Sequence, residues 1–354
     1  MCCGCKPALC GCGVPGQNGG GGMKNKDFHR AKKAKNNEFY TRLTDIEKEL
    51  GHYTSHFHGK TVLCNCDDPR VSNFFRYFFT GFCGLGLKRL ISTCYKNAQP
   101  DFFTQNSDER AVYCDYDGAG RADDVITDYD VFIRQNEWPL LKGDGDFRSE
   151  ECIALLKQAD IVATNPPFSE FREYVAQLAD YGKRFIIVGN KNAITYKEIF
   201  KLIKENKMWL GPSIHSGERE FGVPDAYPSD AKDVTVGHDG KKYVKKGIRW
   251  FTNLDYPKRR EKIILYKRYT PEEYPRYDNY DAIEVSKVKD IPKDYDGVMG
   301  VPITFLDKYN PEQFEIVNCN DIRTNVKTPL KDHGLIKDKD GTLGEIRAKL
   351  VVKI

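Results

Sequence analysis

The run Asn165-Pro166-Pro167-Phe168 combines residue types that can hold an aromatic amine. The Asn165 side-chain carbonyl and the Pro166 backbone carbonyl are both acceptors, and the fixed proline φ angles hold the turn in shape. Two acceptors that converge on one exocyclic NH2 group direct its nitrogen lone pair towards an electrophile. Phe168 adds a flat apolar face, and base–aromatic stacking contributes about 1–3 kcal/mol. These residues predict a site that holds a nucleobase amino group; the structural alternative is a proline-stiffened loop.

The flanking segments predict where this turn lies in the fold. Residues 161–164 are apolar and rich in β-branched side chains, which indicates a strand buried on both faces of a parallel sheet. The two prolines end that strand because they have no N–H to donate to a ladder. Residues 169–178 have a helical pattern. We therefore expect the turn at the carboxyl end of a strand, which is the edge of an open α/β sheet where ligands bind.

The sequence around the turn resembles a known motif. Asn-Pro-Pro-Phe after an apolar strand looks like the catalytic motif of methyltransferases that use S-adenosylmethionine on adenine N6. The longer string from Asp160 to Tyr174 resembles the EcoRI-type DNA adenine methyltransferases in particular, and the likeness spans about residues 27–318. It implies a Rossmann-like α/β fold: a mostly parallel sheet with a closing antiparallel strand pair, flanked by helices, plus a C-terminal target-recognition region.

The resemblance also implies residues that bind S-adenosylmethionine. Phe39-Tyr40-Thr41 resembles the element that helps enclose the methionine part of the cofactor. Asp67 and Asp68 follow an apolar run at 61–66, where a glycine-rich turn is usual; the EcoRI-type family has the same departure. Because S-adenosylmethionine carries no phosphate, no anion cradle is required, and carboxylates suit a sulfonium and an amino group. A helix N-cap is the structural alternative.

Residues 143–147 match a further family block, Gly-Asp-Gly-Asp-Phe. The resemblance implies that Asp146 and Phe147 lie beside the cofactor's adenine, whereas a glycine-rich surface turn is the alternative. The strand predicted over 88–95 has no acidic residue at its end for a ribose. That contact is left unassigned.

Two basic segments predict contacts with double-stranded DNA. Residues 24–35 are densely basic, and 212–249 is a long polar stretch between two predicted strands. Loops longer than about 12–15 residues are commonly functional. The predicted DNA contacts are Lys32, Lys33, Arg219, Lys245, Lys246 and Arg249. A solvated helix face and a solvated insertion are the respective alternatives.

Composition bounds these expectations without deciding them. The net charge of +4 permits a polyanionic partner without requiring one. No run approaches the ~20 apolar residues of a membrane span, and no signal-peptide pattern begins the chain, so a cytoplasmic protein is expected. Five of the twelve cysteines fall in the first twelve residues and can bind a soft metal, but they lack a second spaced pair, so no metal site is predicted. The scattered cysteines indicate core positions of a reduced protein.

We predict four regions along the chain. Residues 1–22 are a Cys/Gly-rich leader without a packed fold, with Met23 as an alternative translation start; 23–269 form the catalytic domain, with its basic insertion at 212–249; 270–320 form the target-recognition region; and 321–354 are a tail with a hairpin. Residues 97–140 have the pattern of an irregular insertion. Asn310-Pro311 predicts a helix start. A monomer is favoured, and the existence of a cognate restriction endonuclease acting independently is left open.

The predicted reaction is direct methyl transfer. An adenine extruded from duplex DNA stacks on Phe168, and its amino group, held by Asn165 and the Pro166 carbonyl, attacks the sulfonium methyl, as in restriction–modification or phage self-protection. Methylation of cytosine carbon 5 needs an activated cysteine, usually after a proline, and no Pro-Cys pair exists in the chain. The alternatives are an RNA-base or protein-glutamine methyltransferase, commonly with Tyr at the Phe168 position, and a catalytically inactive DNA-binding protein.

Overall fold

The computed structural model describes residues 41–95, 111–118, 128–215, 217–223, 234–237, 240–277, 280–320 and 349–354. The predictions for the leader, for the basic segment with Lys32 and Lys33, and for Phe39 and Tyr40 lie outside these residues. The described α-helices are α1 (Leu43–Leu50), α2 (Thr54–Phe57), α3 (Asn73–Thr80), α4 (Tyr129–Gln135), α5 (Glu150–Gln158), α6 (Phe171–Asp180) and α7 (Lys197–Lys204). The described 3-10 helices are Gly51–Tyr53, Lys191–Thr195, Pro257–Arg260, Val288–Asp290 and Ile303–Lys308.

The strands form three sheets. In chain order they are β1 (Thr61–Asn65), β2 (Arg89–Thr93), β3 (Tyr113–Tyr116), β4 (Ile161–Thr164), β5 (Arg184–Asn190), β6 (Trp209–Leu210), β7 (Arg219–Gly222), β8 (Val234–Val236), β9 (Lys242–Lys246), β10 (Ile248–Thr252), β11 (Arg276–Tyr277), β12 (Tyr280–Glu284), β13 (Val298–Pro302), β14 (Glu315–Asn320) and β15 (Lys349–Lys353).

The large sheet has the strand order β3-β2-β1-β4-β5-β10-β6. The pairs β1–β2, β1–β4 and β4–β5 are parallel, while β10 runs antiparallel to both β5 and β6. Strands β2, β1, β4, β5 and β6 therefore share one direction. This is the predicted Rossmann-like sheet, and β6 with β10 is the antiparallel pair that was expected to close it.

Both faces of this sheet are covered, which explains why its strands are apolar throughout. In β1, Leu63 packs into one hydrophobic cluster while its neighbours Val62 and Cys64 pack into another. Helix α6 covers the first face with residues at helical spacing: Phe171, Tyr174, Val175 and Leu178. Helix α3 covers the second face with Phe74, Phe75, Phe78 and Phe79. Of the scattered cysteines predicted as core positions, Cys64, Cys94, Cys114 and Cys152 are buried, whereas Cys66 is half-buried and Cys83 is exposed.

The chain changes direction across the sheet between β1 and β4. From β1 it proceeds outward through β2 and β3, and it later builds β4 and β5 on the other side. The β1–β2 ladder has five residue pairs and the β4–β5 ladder has four, but the β1–β4 ladder has only Val62↔Ile161 and Leu63↔Val162. The carboxyl ends of β1 and β4 thus border the topological switch point, where open α/β sheets bind ligands.

The basic insertion at 212–249 has structure of its own. Its strands form a three-stranded sheet in the order β7-β9-β8, in which Phe221 and Val244 join the hydrophobic cluster that also contains α3 residues. Gly247 connects β9 to β10, and Ile248 at the start of β10 lies opposite Asn190 at the end of β5. The small sheet therefore stands at the same edge of the large sheet as the carboxyl end of β4.

The C-terminal region forms a five-stranded sheet in the order β11-β12-β13-β15-β14. Strand β15 pairs antiparallel with both β13 and β14. The sheet of the predicted target-recognition region therefore extends to residues beyond 320. No helix among the described residues has the length and apolar character needed to cross a bilayer.

Two local predictions were wrong. The segment 97–140 is not wholly irregular, because β3 adds an edge strand to β2 and Phe132 of α4 packs on Phe79. Strand β3 has only four residues and one of them, Asp115, is charged and exposed, so its pattern was weak. Asn310 accepts from the Glu312 N–H at 2.8 Å, as a helix cap would, but the turn leads into β14 because pairing with β15 outweighs the local signal.

Candidate active site

The turn Asn165–Phe168 directly follows β4, as predicted. Pro166 is buried, whereas Asn165, Pro167 and Phe168 are half-buried. The Glu170 N–H donates to the Pro167 carbonyl at 3.0 Å and closes the turn before α6 begins. The Asn165 side-chain carbonyl, the Pro166 carbonyl and the Phe168 ring therefore lie on one short segment between β4 and α6.

Asp67, just beyond the end of β1, reaches across the switch point to this turn. Its carboxylate accepts from the Ser72 hydroxyl at 2.8 Å, from the Asn165 N–H at 3.4 Å and from the Thr164 hydroxyl. Burial raises the pKa of Asp67 to about 7, although the hydrogen bonds from Thr164, Ser72 and Asn165 oppose that rise. The Ser72 hydroxyl also accepts from the first N–H groups of α3, so the same contact fixes that helix.

Asp68 has a different partner. Its carboxylate accepts two hydrogen bonds from the Arg70 guanidinium, at 2.9 and 2.6 Å, and a third from the Arg70 N–H. Both carboxylates that were predicted to contact the cofactor therefore have protein partners. Each carboxylate uses three of its roughly four acceptor sites on those partners.

The turn between β1 and α3 lacks the usual glycine, and Cys66 has an unusual backbone conformation there. Cys66 has φ of +68°, in the left-handed region that L side chains rarely adopt. Such a conformation costs about 1–2 kcal/mol for a residue other than glycine. The chain thus makes the sharp turn after β1 at Cys66, and the carboxylate of the next residue, Asp67, contacts the Asn165–Phe168 turn.

The segment 143–147 crosses the carboxyl end of β2. Gly145 has φ of +78°, and a Cβ there would overlap the Cys94 carbonyl oxygen, so only glycine fits. Asp146 accepts from the Arg148 guanidinium at 2.8 and 2.6 Å. Burial acts to raise the pKa of Asp146, but the hydrogen bonds and charge of Arg148 outweigh it and lower that pKa.

Phe147 is buried and joins this segment to α6. Its ring meets that of Tyr174 edge-on, with 5.1 Å between centroids, and its carbonyl accepts from Gln177 at 3.0 Å. The Tyr174 hydroxyl in turn donates to the side-chain carbonyl of Asn65, the last residue of β1. Only 4% of Phe147 is exposed, so in this structure its ring serves the core more than it offers a stacking surface.

Two buried hydroxyls near these turns have no hydrogen-bond partner among the described residues. They belong to Thr41, which was predicted as a cofactor residue, and to Thr93, the last residue of β2. The Thr41 carbonyl accepts from Asn73 at the start of α3, and the Thr93 carbonyl accepts from the Asp67 N–H. Unsatisfied buried hydroxyls are costly, and a ligand with polar groups would satisfy them. The site therefore fits a nucleoside-containing amino acid such as S-adenosylmethionine.

Sequence reasoning missed Thr93 and its neighbour Tyr95. It sought an acidic residue at the end of β2, whereas the strand ends in a hydroxyl, and Tyr95 follows with 38% of its surface exposed. A search for any hydrogen-bonding or aromatic side chain at the last positions of the strand would have found both.

Two of the predicted DNA cations of the small sheet, Arg219 and Lys245, line a charged cleft of about 460 Å³, together with residues of α1 and the position before it. Arg219 lies 4.0 Å from Asp45, and Lys245 lies 4.0 Å from Glu220. Arg42 makes a closer ion pair with Glu220, at 2.8 Å. Lys246 is opposite Arg219 across the β7–β9 ladder and is half-buried. The cleft thus combines three cations, Arg42, Arg219 and Lys245, with three carboxylates, Asp45, Glu218 and Glu220.

Arg249 is placed differently from its prediction as a DNA contact. It is 9% exposed, its guanidinium donates to the Ile214 carbonyl at 3.1 Å, and Asp307 lies 3.7 Å away. Burial lowers its pKa, while Asp307 opposes that shift. Arg249 therefore joins the start of β10 to the C-terminal region from inside the protein, because position 249 falls on a buried strand and not on the polar insertion.

Comparison with known proteins identifies the family. Residues 27–352 match the family model described as adenine-specific methyltransferase EcoRI. The chain belongs to this family. It is 48% identical to the Type II methyltransferase M.EcoRI of Escherichia coli, over 86% of this chain and 94% of that protein. It is 40% identical to the Type II methyltransferase M.MpnI of Mycoplasma pneumoniae, over 91% and 94%. A relative from Mycoplasma genitalium, M.MgeORF184P, is 39% identical over 91% and 95%. No solved structure matches the chain.

The EcoRI family membership confirms the resemblance drawn from the motifs. The chain is an adenine-specific DNA methyltransferase of the kind that acts in restriction–modification. Within this EcoRI-family chain, the Asn165–Phe168 turn, the Asp67 turn and the segment 143–147 all lie at the carboxyl ends of β1, β2 and β4. The family match extends through β15, in agreement with the inclusion of that strand in the C-terminal sheet.

Proposed function

We propose that this chain transfers a methyl group from S-adenosylmethionine to N6 of an adenine that it extrudes from a specific sequence in duplex DNA. The observation that carries the proposal is the Asn165–Phe168 turn at the sheet's switch point, held there by the Asp67 carboxylate. The Type II methyltransferases to which the chain is similar support the assignment to restriction–modification.

The catalytic turn binds and orients the target base. The Asn165 side-chain carbonyl and the Pro166 carbonyl accept the two amino hydrogens, and Phe168 stacks on the extruded ring. The few kcal/mol needed to unstack a base are comparable with what one aromatic stack returns. When bound, S-adenosylmethionine supplies an electrophilic methyl group on its sulfonium. The protein contributes mainly position and fixed dipoles, so no covalent enzyme intermediate is needed.

The cofactor would lie across the carboxyl ends of β1 and β2. The Thr41 and Thr93 hydroxyls would take its polar groups, which accounts for two buried atoms that have no partner among the described residues. We propose that the Asp67–Asp68 turn and Asp146 with Phe147 shape the walls of this site. Phe39 and Tyr40 would enclose its methionine end.

DNA would lie over the small sheet and the catalytic turn. Arg219, Lys245 and Lys246 would contact phosphates there, with Lys32 and Lys33 as further contacts. We propose that 23–269 acts as the catalytic domain and that the region from 270 contributes target recognition. The chain would work as a monomer and without a nuclease bound to it.

Transfer of a tritiated methyl group tests the proposal. The full chain and labelled S-adenosylmethionine are incubated in three separate reactions, with duplex DNA, with RNA of the same sequence and with total protein. Label in N6-methyladenine of duplex DNA is expected. Label in RNA or in glutamine would replace the proposed substrate, and no label in any of the three would favour a DNA-binding protein without activity.

A further inference from the structure

The contact between Asp67 and Asn165 occurs where the backbone ladder between β1 and β4 is missing. Strands β1 and β4 are paired only at Val62↔Ile161 and Leu63↔Val162, although both strands continue for two more residues. Over those last residues β4 remains paired with β5 on its other side. The catalytic end of β4 is therefore tied by backbone hydrogen bonds on one side only.

Side chains replace the ladder on the open side. The Thr164 hydroxyl contacts both the Asn65 carbonyl and Asp67 Oδ2, and the Asn165 N–H donates to the same carboxylate oxygen. Asp67 itself is fixed from the far side, since its N–H donates to the Thr93 carbonyl at 2.9 Å and its carbonyl accepts from Ser92 at 2.6 Å. Asp67 thus connects the ends of β1 and β2 to Asn165, the first residue of the catalytic turn.

Resting on the proposed function, we propose that Asp67 is a positioning residue for methyl transfer: it orients Asn165 through the Asn165 N–H and Thr164, and it is not a ligand of the cofactor. A carboxylate that served the cofactor would need an oxygen directed at it. The oxygens of Asp67 are directed instead at Ser72, Thr164 and Asn165.

The role depends on the ionised form. A carboxylate accepts all three hydrogen bonds, whereas the protonated acid must donate at one oxygen and so competes with a donor there. Burial raises the pKa of Asp67 to about 7, and the neighbouring Asp68 acts in the same direction. The other titratable groups around it are Cys64, Cys66 and Tyr174, whose own pKa values are raised by burial, so they are neutral near pH 7.

The test compares Asp67→Asn with Asp160→Asn in the full chain. Asp160 ties the same two strands at their opposite ends, where its Oδ2 accepts from the Thr61 N–H at 2.9 Å, far along β4 from the turn. Single-turnover methyl transfer to duplex DNA is measured beside the Kd for S-adenosylhomocysteine, from pH 5.5 to 8.5. Thr164→Val, which removes the hydroxyl and keeps the shape, is measured in parallel in case Asp67→Asn folds poorly.

Asp67→Asn is expected to lower the single-turnover rate about 10- to 100-fold, the cost of a misplaced reacting group. Its Kd for S-adenosylhomocysteine should stay within about twofold of wild type, a split that general destabilisation would not produce. The wild-type rate should fall as pH drops below about 7, and Asp67→Asn should lose that dependence. Thr164→Val should lower the rate by a smaller factor, and Asp160→Asn should match wild type.

Two results would overturn the positioning role. One is a tenfold rise in Kd for Asp67→Asn with an unchanged single-turnover rate, which would make the carboxylate a cofactor ligand. The other is an equal loss in Asp67→Asn and Asp160→Asn, which would reduce it to a structural strand tie. An inactive wild type would instead contradict the proposed function, so the two failures are distinguishable.

Discussion

At the proposed site, a side chain that would meet the substrate or the cofactor is held in place by a second side chain. Asn165 is held by Asp67, and the Asp146 carboxylate is held by Arg148. Such support matters because a shift of about 1 Å in a reacting group can cost a hundredfold in rate. Asp67 supports Asn165 from a distant segment of the chain, whereas Arg148 lies only two residues after Asp146.

Replacing Asn165 removes one of the two proposed acceptors for the target amino group. Asn165→Ala is expected to lower methyl transfer at least 100-fold while leaving DNA affinity within about threefold, because it removes orientation and not phosphate contacts. Transfer of labelled methyl and fluorescence anisotropy with duplex DNA measure the two quantities. Turnover at the wild-type rate would refute the role of Asn165. Asn192→Ala, on the exposed turn after β5, serves as the control.

Phe168 tests the stacking of the extruded base. Phe168→Ala should destabilise the extruded state by about 1–3 kcal/mol, since the base loses its aromatic partner. The fluorescence of 2-aminopurine at the target position in the complex reports that state. An amplitude equal to that of the wild-type complex would count against this role.

At the scale of elements, the small β7-β9-β8 sheet and α1 bring opposite charges together beside the active edge. Their cleft contains Arg42, Arg219 and Lys245 but also Asp45 and Glu220. DNA phosphates would compete with these carboxylates for the cations. Only the basic residues of this arrangement were predicted from sequence, because the pairing of Glu220 with Arg42 and Lys245, and of Asp45 with Arg219, depends on which elements meet in the fold.

Removing a phosphate contact should change the salt dependence of binding. Lys245→Gln is expected to lower DNA affinity equally for target and non-target sequences and to reduce the slope of log affinity against log salt by about 0.9. Anisotropy titrations between 50 and 200 mM salt measure the slope. Lys201→Gln, an exposed lysine of α7, is the matched control. An unchanged slope for Lys245→Gln would remove it from the DNA surface.

Buried Glu49 links α1 to the segment that enters the small sheet. It accepts from the Tyr53 hydroxyl at 3.0 Å and from the Ser213 N–H at 2.9 Å. Burial raises its pKa from 4.5 to about 7, although those hydrogen bonds oppose the rise. Between these pH values the folded state keeps a proton that the unfolded chain has lost, so the free energy of unfolding falls as pH increases.

Glu49→Gln cannot ionise and should lack that contribution. The difference in unfolding free energy, variant minus wild type, is expected to grow by up to about 3 kcal/mol between pH 4.5 and 7. Urea titrations at several pH values measure it. A difference that stays constant over this range would show that Glu49 does not retain a raised pKa in the folded protein.

For the whole molecule, the sequence predicted the central sheet well because its strands are buried on both faces and so are apolar throughout, as in Ile161–Thr164. Prediction from the sequence failed where pairing between distant strands decides the local structure. Strand β3 is an edge strand with a weak pattern, and Asn310 caps a turn whose next residues pair with β15. Arg249 was predicted to contact DNA because its neighbours along the chain are basic, but its neighbours in space are Ile214 and Asp307.

Sequencing that detects N6-methyladenine asks most directly whether this EcoRI-family chain methylates adenine N6 at one DNA sequence. The DNA comes from cells that lack other adenine methyltransferases and express either the full chain or its Asn165→Ala variant. Nearly complete methylation of a single short motif is expected with the wild-type chain and none with the variant. An unmodified genome, or methylation that persists in the variant, would contradict it.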